Sequence, residues 1–214
     1  MLEDGSVYEG TARGDFKETA CEIVFNTSMT GYVEILTDPS YAGQGVVMTY
    51  PMIGNYGISR EDFESERLQP SAFIVHELSS DPSNFRCTDT IENLLKEYNI
   101  PCISGVDTRA VVKKLRESGT MRGVLTSDIG DRERLMDVIK SFRQIDLVGS
   151  VTAKQTKVYG EENTGAEIAL MDFGTKRNII NNLVKRNCIV TVYPSFTSAD
   201  EIIKTSPDGI MLSN

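Results

Sequence analysis

Apolar and polar positions follow two different rhythms along this chain. Glu22 to Phe25, Gly45 to Tyr50 and Ala72 to Glu77 are apolar or β-branched runs bounded by turn residues, which predicts strands. Between them, residues 26–45 and 51–69 are rich in Gly, Pro, Asn and Ser and predict long loops. Loops of that length in a compact domain usually carry function. The rhythm then becomes helical. Ile91, Leu94, Leu95 and Tyr98 follow i, i+3, i+4, i+7 and predict a helix over Thr90–Tyr98, with Asp89 and Glu92 resembling a capping box. A second helix is predicted over Arg109–Ser118, with Asp107 or Thr108 as its cap and Gly119 at the left-handed position after its end. A third, over Asp131–Phe142, carries Leu135, Met136, Ile139 and Phe142 on one side.

From Gly149 to Gly165 hydrophobicity falls and Lys, Gln, Thr, Glu and Gly dominate, as in a linker. Beyond it the elements alternate regularly. Ile168–Phe173 reads as a strand, Lys176–Arg186 as a helix with Ile179, Ile180, Leu183 and Val184 on one face, and Cys188–Tyr193 as a strand closed by Pro194. Ser198 with Glu201 forms a capping box for a short helix, and Gly209–Ser213 reads as a third strand. This βαβαβ order implies an α/β class with a parallel sheet. The expected organisation is a mixed β/α domain over residues 1–150, a linker over 151–165, and a βαβαβ segment over 166–214. Ligands of such sheets bind beyond the carboxyl ends of the strands. Three strands and two helices are expected to leave one sheet face thinly covered.

Charge removes some function classes. Lys and Arg number 22 against 31 Asp and Glu, a net charge of −9, so a phosphate backbone is repelled and nucleic acid is not an expected partner. No run of about 18 apolar residues is present, so no membrane partner is expected, and the start of the chain has no signal-peptide pattern. Cys21, Cys87, Cys102 and Cys188 form no C-x-x-C pair, and a single histidine completes no zinc site of usual spacing. They are read as free thiols of a reducing cytosol, and no metal or other cofactor is expected in this chain.

Individual residues offer little chemistry by themselves. His76 sits inside the apolar run AFIVHE with no nucleophile motif nearby and reads as a structural or surface histidine. No cysteine lies between glycines at a strand-to-helix turn, as a nucleophile elbow requires. Asp172-Phe173-Gly174 matches a kinase DFG, but the glycine-rich loop and H-R-D are missing. Gly43-x-Gly45 precedes no helix and is no phosphate loop. Arg109 reads equally as a functional cation and as a solvated residue after a cap.

Four stretches taken together are far more specific. They are FNTSMTGYVEILTDPSY from Phe25 to Tyr41, TYPMIGNYG from Thr49 to Gly57, SNFR from Ser83 with GVDTR from Gly105, and MDFGTKRN from Met171 with DGIMLSN from Asp208 to Asn214. On these the chain resembles the small subunit of carbamoyl phosphate synthetase, departing from it in having fewer strand residues before Leu2. The resemblance implies an N-terminal domain followed by the start of a parallel-sheet, flavodoxin-like class I glutamine amidotransferase domain. It implies glutamine as substrate and a large subunit as partner. That subunit would receive the ammonia, use ATP and a divalent metal, and make carbamoyl phosphate from bicarbonate in the cytoplasm. It places Ser40 of DPSY at the glutamine site, although a Pro-Ser turn alone is common. The family's catalytic Cys, His and Glu are expected beyond Asn214, and only Leu212, Ser213 and Asn214 of its oxyanion-loop motif are present. The chain alone is therefore expected to be inactive. The alternative is a non-catalytic protein that docks a synthetase subunit. The two long loops are expected to face the second domain or the large subunit.

Overall fold

Residues 1–14, 16–143 and 146–213 are described by the computed structural model. It divides into two units, Met1–Thr37 with Gly43–Gln144, and Asp38–Ala42 with Ile145–Asn214. Both are of the α/β class.

The first unit is built, in chain order, from β1 (Thr11–Arg13), β2 (Thr19–Asn26), α1 (Tyr32–Thr37), β3 (Gln44–Met48), β4 (Met52–Ile53), β5 (Ala72–Ile74), β6 (Glu77–Leu78), α2 (Ile91–Glu97), β7 (Cys102–Ser104), α3 (Thr108–Ser118), β8 (Met121–Leu125) and α4 (Arg132–Ser141). Six strands make one sheet in the order β1-β7-β5-β3-β2-β8. Its interior pairs β2–β3, β3–β5 and β5–β7 are parallel, and β1 and β8 close the edges antiparallel. Side chains alternate across the sheet. Cys21, Ile23, Val47, Ala72 and Ile74 pack with Val111, Val112 and Leu115 of α3, while Val124 packs with Leu135 and Ile139 of α4. Each fully buried aliphatic side chain of this kind contributes roughly 1.5–3 kcal/mol.

The helix ends follow from their caps. Asp107 accepts from the Ala110 N–H at 3.0 Å and Asp131 from the Arg134 N–H at 2.9 Å, satisfying donors that have no partner inside the helix. Gly119 ends α3 at φ +81°, a conformation that suits glycine. For α2 the cap differs from the expected box. Thr90 is the N-cap and accepts from Asn93 N–H, while Asp89 Oδ1 accepts from Thr90 N–H and the Asn93 side chain.

Other expectations need correction. Residues 26–45 are not a plain loop. They contain α1, in which Tyr32, Val33, Ile35, Leu36 and Thr37 are all buried, and a 3₁₀ turn at Pro39–Tyr41. A six-residue helix buried almost all round leaves no apolar–polar period to read. Residues 51–69 contain β4, which pairs with β6 in parallel, and a 3₁₀ turn at Arg60–Asp62. The two segments are bonded together: Gln69 N–H donates to Leu36 O at 2.9 Å, and Glu64 N–H to Thr37 Oγ1 at 2.9 Å. The run Ala72–Glu77 is split between β5 and β6, which belong to different sheets.

The second unit consists of α5 (Leu147–Val151), β9 (Lys157–Tyr159), β10 (Glu167–Asp172), α6 (Arg177–Val184), β11 (Ile189–Pro194), α7 (Ala199–Ile203) and β12 (Gly209–Leu212). Its sheet order is β12-β10-β11-β9, with the first three strands parallel. Leu170, Val190 and Val192 pack with Ile180 of α6, and Ala169 and Tyr193 with Ile202 of α7. The capping box of α7 forms as its residues imply, with Ser198 and Glu201 bonded reciprocally. The stretch expected as a linker contains β9, which pairs antiparallel with β11 and is part of this sheet. β9 is an exposed edge strand of three residues, Lys157-Val158-Tyr159, and such a strand needs few apolar positions. At the other edge, Ile210 and Leu212 of β12 are exposed. Among the described residues, no helix is long and apolar enough to cross a membrane.

Candidate functional site

The best-organised polar cluster lies in the second unit, around the carboxyl ends of its parallel strands and the Asp38–Ala42 turn. Pro39 takes the first position of the 3₁₀ turn, where its fixed φ fits and its missing N–H is no loss. Asp38 caps the turn. Its Oδ1 accepts from the Ser40 N–H at 2.9 Å, and its carbonyl accepts from the Tyr41 N–H at 3.0 Å. Ser40 is exposed at the tip.

The Asp38 carboxylate is only 8% exposed, so it needs a counter-charge, which Lys176 Nζ supplies at 2.7 Å from Oδ2. Lys176 stands at the N-cap of α6, in the connection from β10. That connection is held by Asp172, the buried last residue of β10. Asp172 Oδ1 accepts from the N–H groups of Gly174 at 3.0 Å and Thr175 at 2.7 Å. Its Oδ2 accepts from Ala153 N–H at 2.7 Å. Gly174 has φ +121°, which side-chain-bearing residues avoid, and this lets the backbone fold over the carboxylate.

Neighbouring connections are tied to the same point. Thr152 Oγ1 donates to Asp172 O at 2.6 Å and accepts from Ser195 N–H, after β11, at 2.8 Å. Ser213 Oγ, after β12, accepts from Phe173 N–H at 2.8 Å. The loops after β10, β11 and β12 thus converge where open parallel sheets bind ligands. Within this cluster Thr175 Oγ1 is buried with no hydrogen-bond partner among the described residues. Asn214, the last residue of the DGIMLSN stretch, lies outside the described residues.

The other sequence candidates fall elsewhere. His76 is exposed, between β5 and β6, and its Nδ1 lies 3.0 Å from Val106 O, a contact that makes Nδ1–H the donor. Burial pushes the Cys21 and Cys102 thiols up to about 12, which leaves them protonated and unreactive. Cys87 donates to Asp89 O at 3.4 Å, and Cys188 packs against the core of the second unit. All four are free thiols. Arg109 is exposed one residue into α3, whose cap is Asp107. Gly43-x-Gly45 leads into β3, and a Cβ on Gly45 would lie 2.6 Å from Cys21 Sγ, so this glycine serves close packing. Among the described residues, no group of three His, Cys, Asp or Glu side chains is placed to hold a metal ion. A cavity of about 410 Å³ in the first unit is lined mostly by apolar side chains, among them Ile23, Val47, Ile74, Ile103 and Val111, with Tyr8, Glu9, Thr126 and Ser127 also on its wall.

Sequence reasoning missed the pairing of Tyr32 with Tyr56, which joins two of the quoted stretches in the first unit. Their rings stack at 4.1 Å, Tyr56 Oη accepts from the N–H groups of Gly31 and Tyr32, and Tyr32 Oη donates to Gly57 O at 2.8 Å. Burial raises both phenol pKa values, so the hydroxyls stay neutral. Arg86 of SNFR likewise reaches Asp62 at 2.6 Å and Glu61 at 3.2 Å, in the second long segment.

Comparison with known proteins sets this geometry in context. Residues 1–125 match the family model described as carbamoyl-phosphate synthase small chain, CPSase domain. The whole chain is 45% identical over 215 residues to the carbamoyl phosphate synthase small chain of Listeria monocytogenes serotype 4b (strain F2365), and covers 59% of that protein. It is 47% identical over 215 residues to the protein of the same name from Clostridium perfringens (strain 13 / Type A), covering 61% of it. With the one from Bacillus cereus (strain ATCC 14579) it shares 47% over 214 residues, covering 58%.

Proposed function

Because the chain belongs to the carbamoyl-phosphate synthase small-chain family, we propose that it is part of a glutamine-hydrolysing small subunit that supplies ammonia to a large subunit. The observation that carries this reading is the similarity itself, which extends over the whole chain while the chain spans about 59% of the relatives' length. In this reading the substrate is glutamine, and the reaction is amide hydrolysis through a cysteinyl thioester. The large subunit binds ATP, a divalent metal and bicarbonate and makes carbamoyl phosphate for arginine and pyrimidine synthesis. The two subunits form a heterodimer in the cytoplasm.

This segment's part is to bind substrate rather than to attack it. Covalent amide hydrolysis needs a thiolate beside a base, with donors for the oxyanion. Cys21 and Cys102 are buried with raised pKa values, and the one histidine, His76, is engaged with a backbone carbonyl. Ser40, exposed on a turn that Asp38 and Lys176 hold, is suited to bond the amino or carboxylate group of glutamine.

The test uses the longer small chain carrying this segment, paired with its large subunit. Ser40→Ala is expected to weaken glutamine use by about 1 kcal/mol, roughly fivefold in KM, while ammonia-dependent synthesis is unchanged. The 214-residue chain alone is expected to release no ammonia from glutamine above background. Unchanged glutamine kinetics in Ser40→Ala would remove Ser40 from the site. No glutamine-dependent synthesis by the parent pair would overturn the functional reading, in favour of a non-catalytic docking protein.

A further inference from the structure

The hydrogen-bond network of the second unit converges on one buried carboxylate: Asp172 accepts three backbone N–H groups, from Ala153, Gly174 and Thr175. Two of these donors lie immediately before Lys176. Lys176 reaches Asp38, and Asp38 accepts the Ser40 N–H. The order Asp172, Gly174–Thr175, Lys176, Asp38, Ser40 is an unbroken series of covalent and polar links. We propose that Asp172 is a positioning residue for Ser40, acting through the backbone before Lys176 and the Lys176–Asp38 ion pair. The inference deepens the glutamine-hydrolysing reading and rests on it for its consequence in catalysis.

Two features make Asp172 more than a loop cap. Its carboxylate faces backbone donors from two separate segments, so losing it frees both of them. Moreover, Gly174, at φ +121°, supplies no side chain to stiffen the loop, and the carboxylate holds the two residues immediately before the Lys176 N-cap, Gly174 and Thr175. Small misplacement of a substrate-binding group is enough to cost a large factor in rate.

Amide hydrogen exchange in the 214-residue chain tests the relay without any assay of activity. Asp172→Ala should speed exchange at Gly174 and Thr175, and also at Ser40, whose N–H does not touch Asp172. Asp172→Asn keeps a carbonyl oxygen for Gly174 and Thr175 but turns an NH2 toward the Ala153 N–H, so it should speed exchange at Ala153 while leaving Ser40 near the parent. A control, Thr152→Val, removes the hydroxyl that bonds Asp172 O and Ser195 N–H without altering the carboxylate, and should leave Ser40 exchange unchanged. In the longer small chain paired with its large subunit, Asp172→Ala should raise the glutamine KM about tenfold or more. Asp172→Asn should stay within about threefold, with ammonia-dependent synthesis intact in both. Unchanged Ser40 exchange in Asp172→Ala overturns the relay. So does equal acceleration in Thr152→Val, which would mark a general loss of stability. If the relay operates but the parent pair uses no glutamine, the functional reading fails and the positioning inference stands.

Discussion

Thr37 is the last residue of α1 and the residue before the Asp38 turn, and its hydroxyl is committed in two directions at once. Oγ1 donates to Val33 O at 2.8 Å and accepts from Glu64 N–H at 2.9 Å, and Thr37 is completely buried. Thr37→Val keeps the shape and removes the acceptor. The Glu64 N–H, at a residue only 8% exposed, then loses this partner in a place that water does not reach. Leaving a buried donor unsatisfied costs about 1–3 kcal/mol, only partly offset by the easier burial of a methyl than of a hydroxyl. For a cooperative unit of this size each kcal/mol lowers Tm by about 2–4 °C. Thr37→Ser keeps the bond and loses one methyl, at about 0.8 kcal/mol plus a small cavity term. Because the two totals can approach each other, amide exchange at Glu64 is the decisive measurement, alongside urea denaturation. Exchange should accelerate in Thr37→Val and stay protected in Thr37→Ser. A Thr37→Val protein as stable as the parent, with Glu64 still protected, would refute the view that this hydroxyl locks residues 51–69 onto α1.

Two further outcomes follow from the titrating groups. Iodoacetamide at pH 8 should modify the half-buried Cys87 and Cys188 but leave Cys21 and Cys102 intact until the protein is denatured; rapid labelling of either buried thiol would contradict their raised pKa values. Glu18 is held at about 2, against an ordinary 4.5, by Arg134, which bonds both carboxylate oxygens at 2.7 and 2.8 Å, and by Thr126. A depressed carboxylate pKa gives stability that is complete above about 4.5 and is lost as pH falls toward about 2, so Glu18→Gln should flatten that part of the acid unfolding curve. Identical curves for parent and variant across that window would show the pair to be energetically silent, as many exposed ion pairs are.

The elements legible in the sequence showed a period, an apolar run between turn residues (β3, β5 and β12) or, for α7, a capping box. The α3, α4 and α6 helices and the strands β2, β10 and β11 each present an apolar repeat over six or more residues, and their burial follows it. What escaped was short or atypical. β1 and β7 have three residues each, and β8 contains Gly123 where a side chain would meet Ile23 at 2.8 Å. β9 joins its sheet by backbone pairing with β11, which composition does not reveal. In α1, burial on nearly every side erases the pattern that marks a surface helix, so the sequence there reads as a loop.

The candidate site divides in the same way, but for a different reason. Ser40 was reachable only through the resemblance of its surrounding stretch, since a Pro-Ser turn in isolation points to nothing. Asp38, Asp172 and Lys176 lay inside quoted stretches, yet no rule of spacing joins an aspartate to a lysine 138 positions away. The physical signal of the site is instead the burial of two carboxylates, each 8% exposed or less, at the ends of regular elements. Ionised groups are rarely kept there unless their partners are organised for them. Asp38 takes a lysine and a turn N–H; Asp172 takes three N–H groups from two segments. A carboxylate that recruits backbone donors stabilises a loop conformation that apolar packing alone leaves free; the Asp38 turn carries Ser40, and the Asp172 loop leads to the Lys176 that pairs with Asp38.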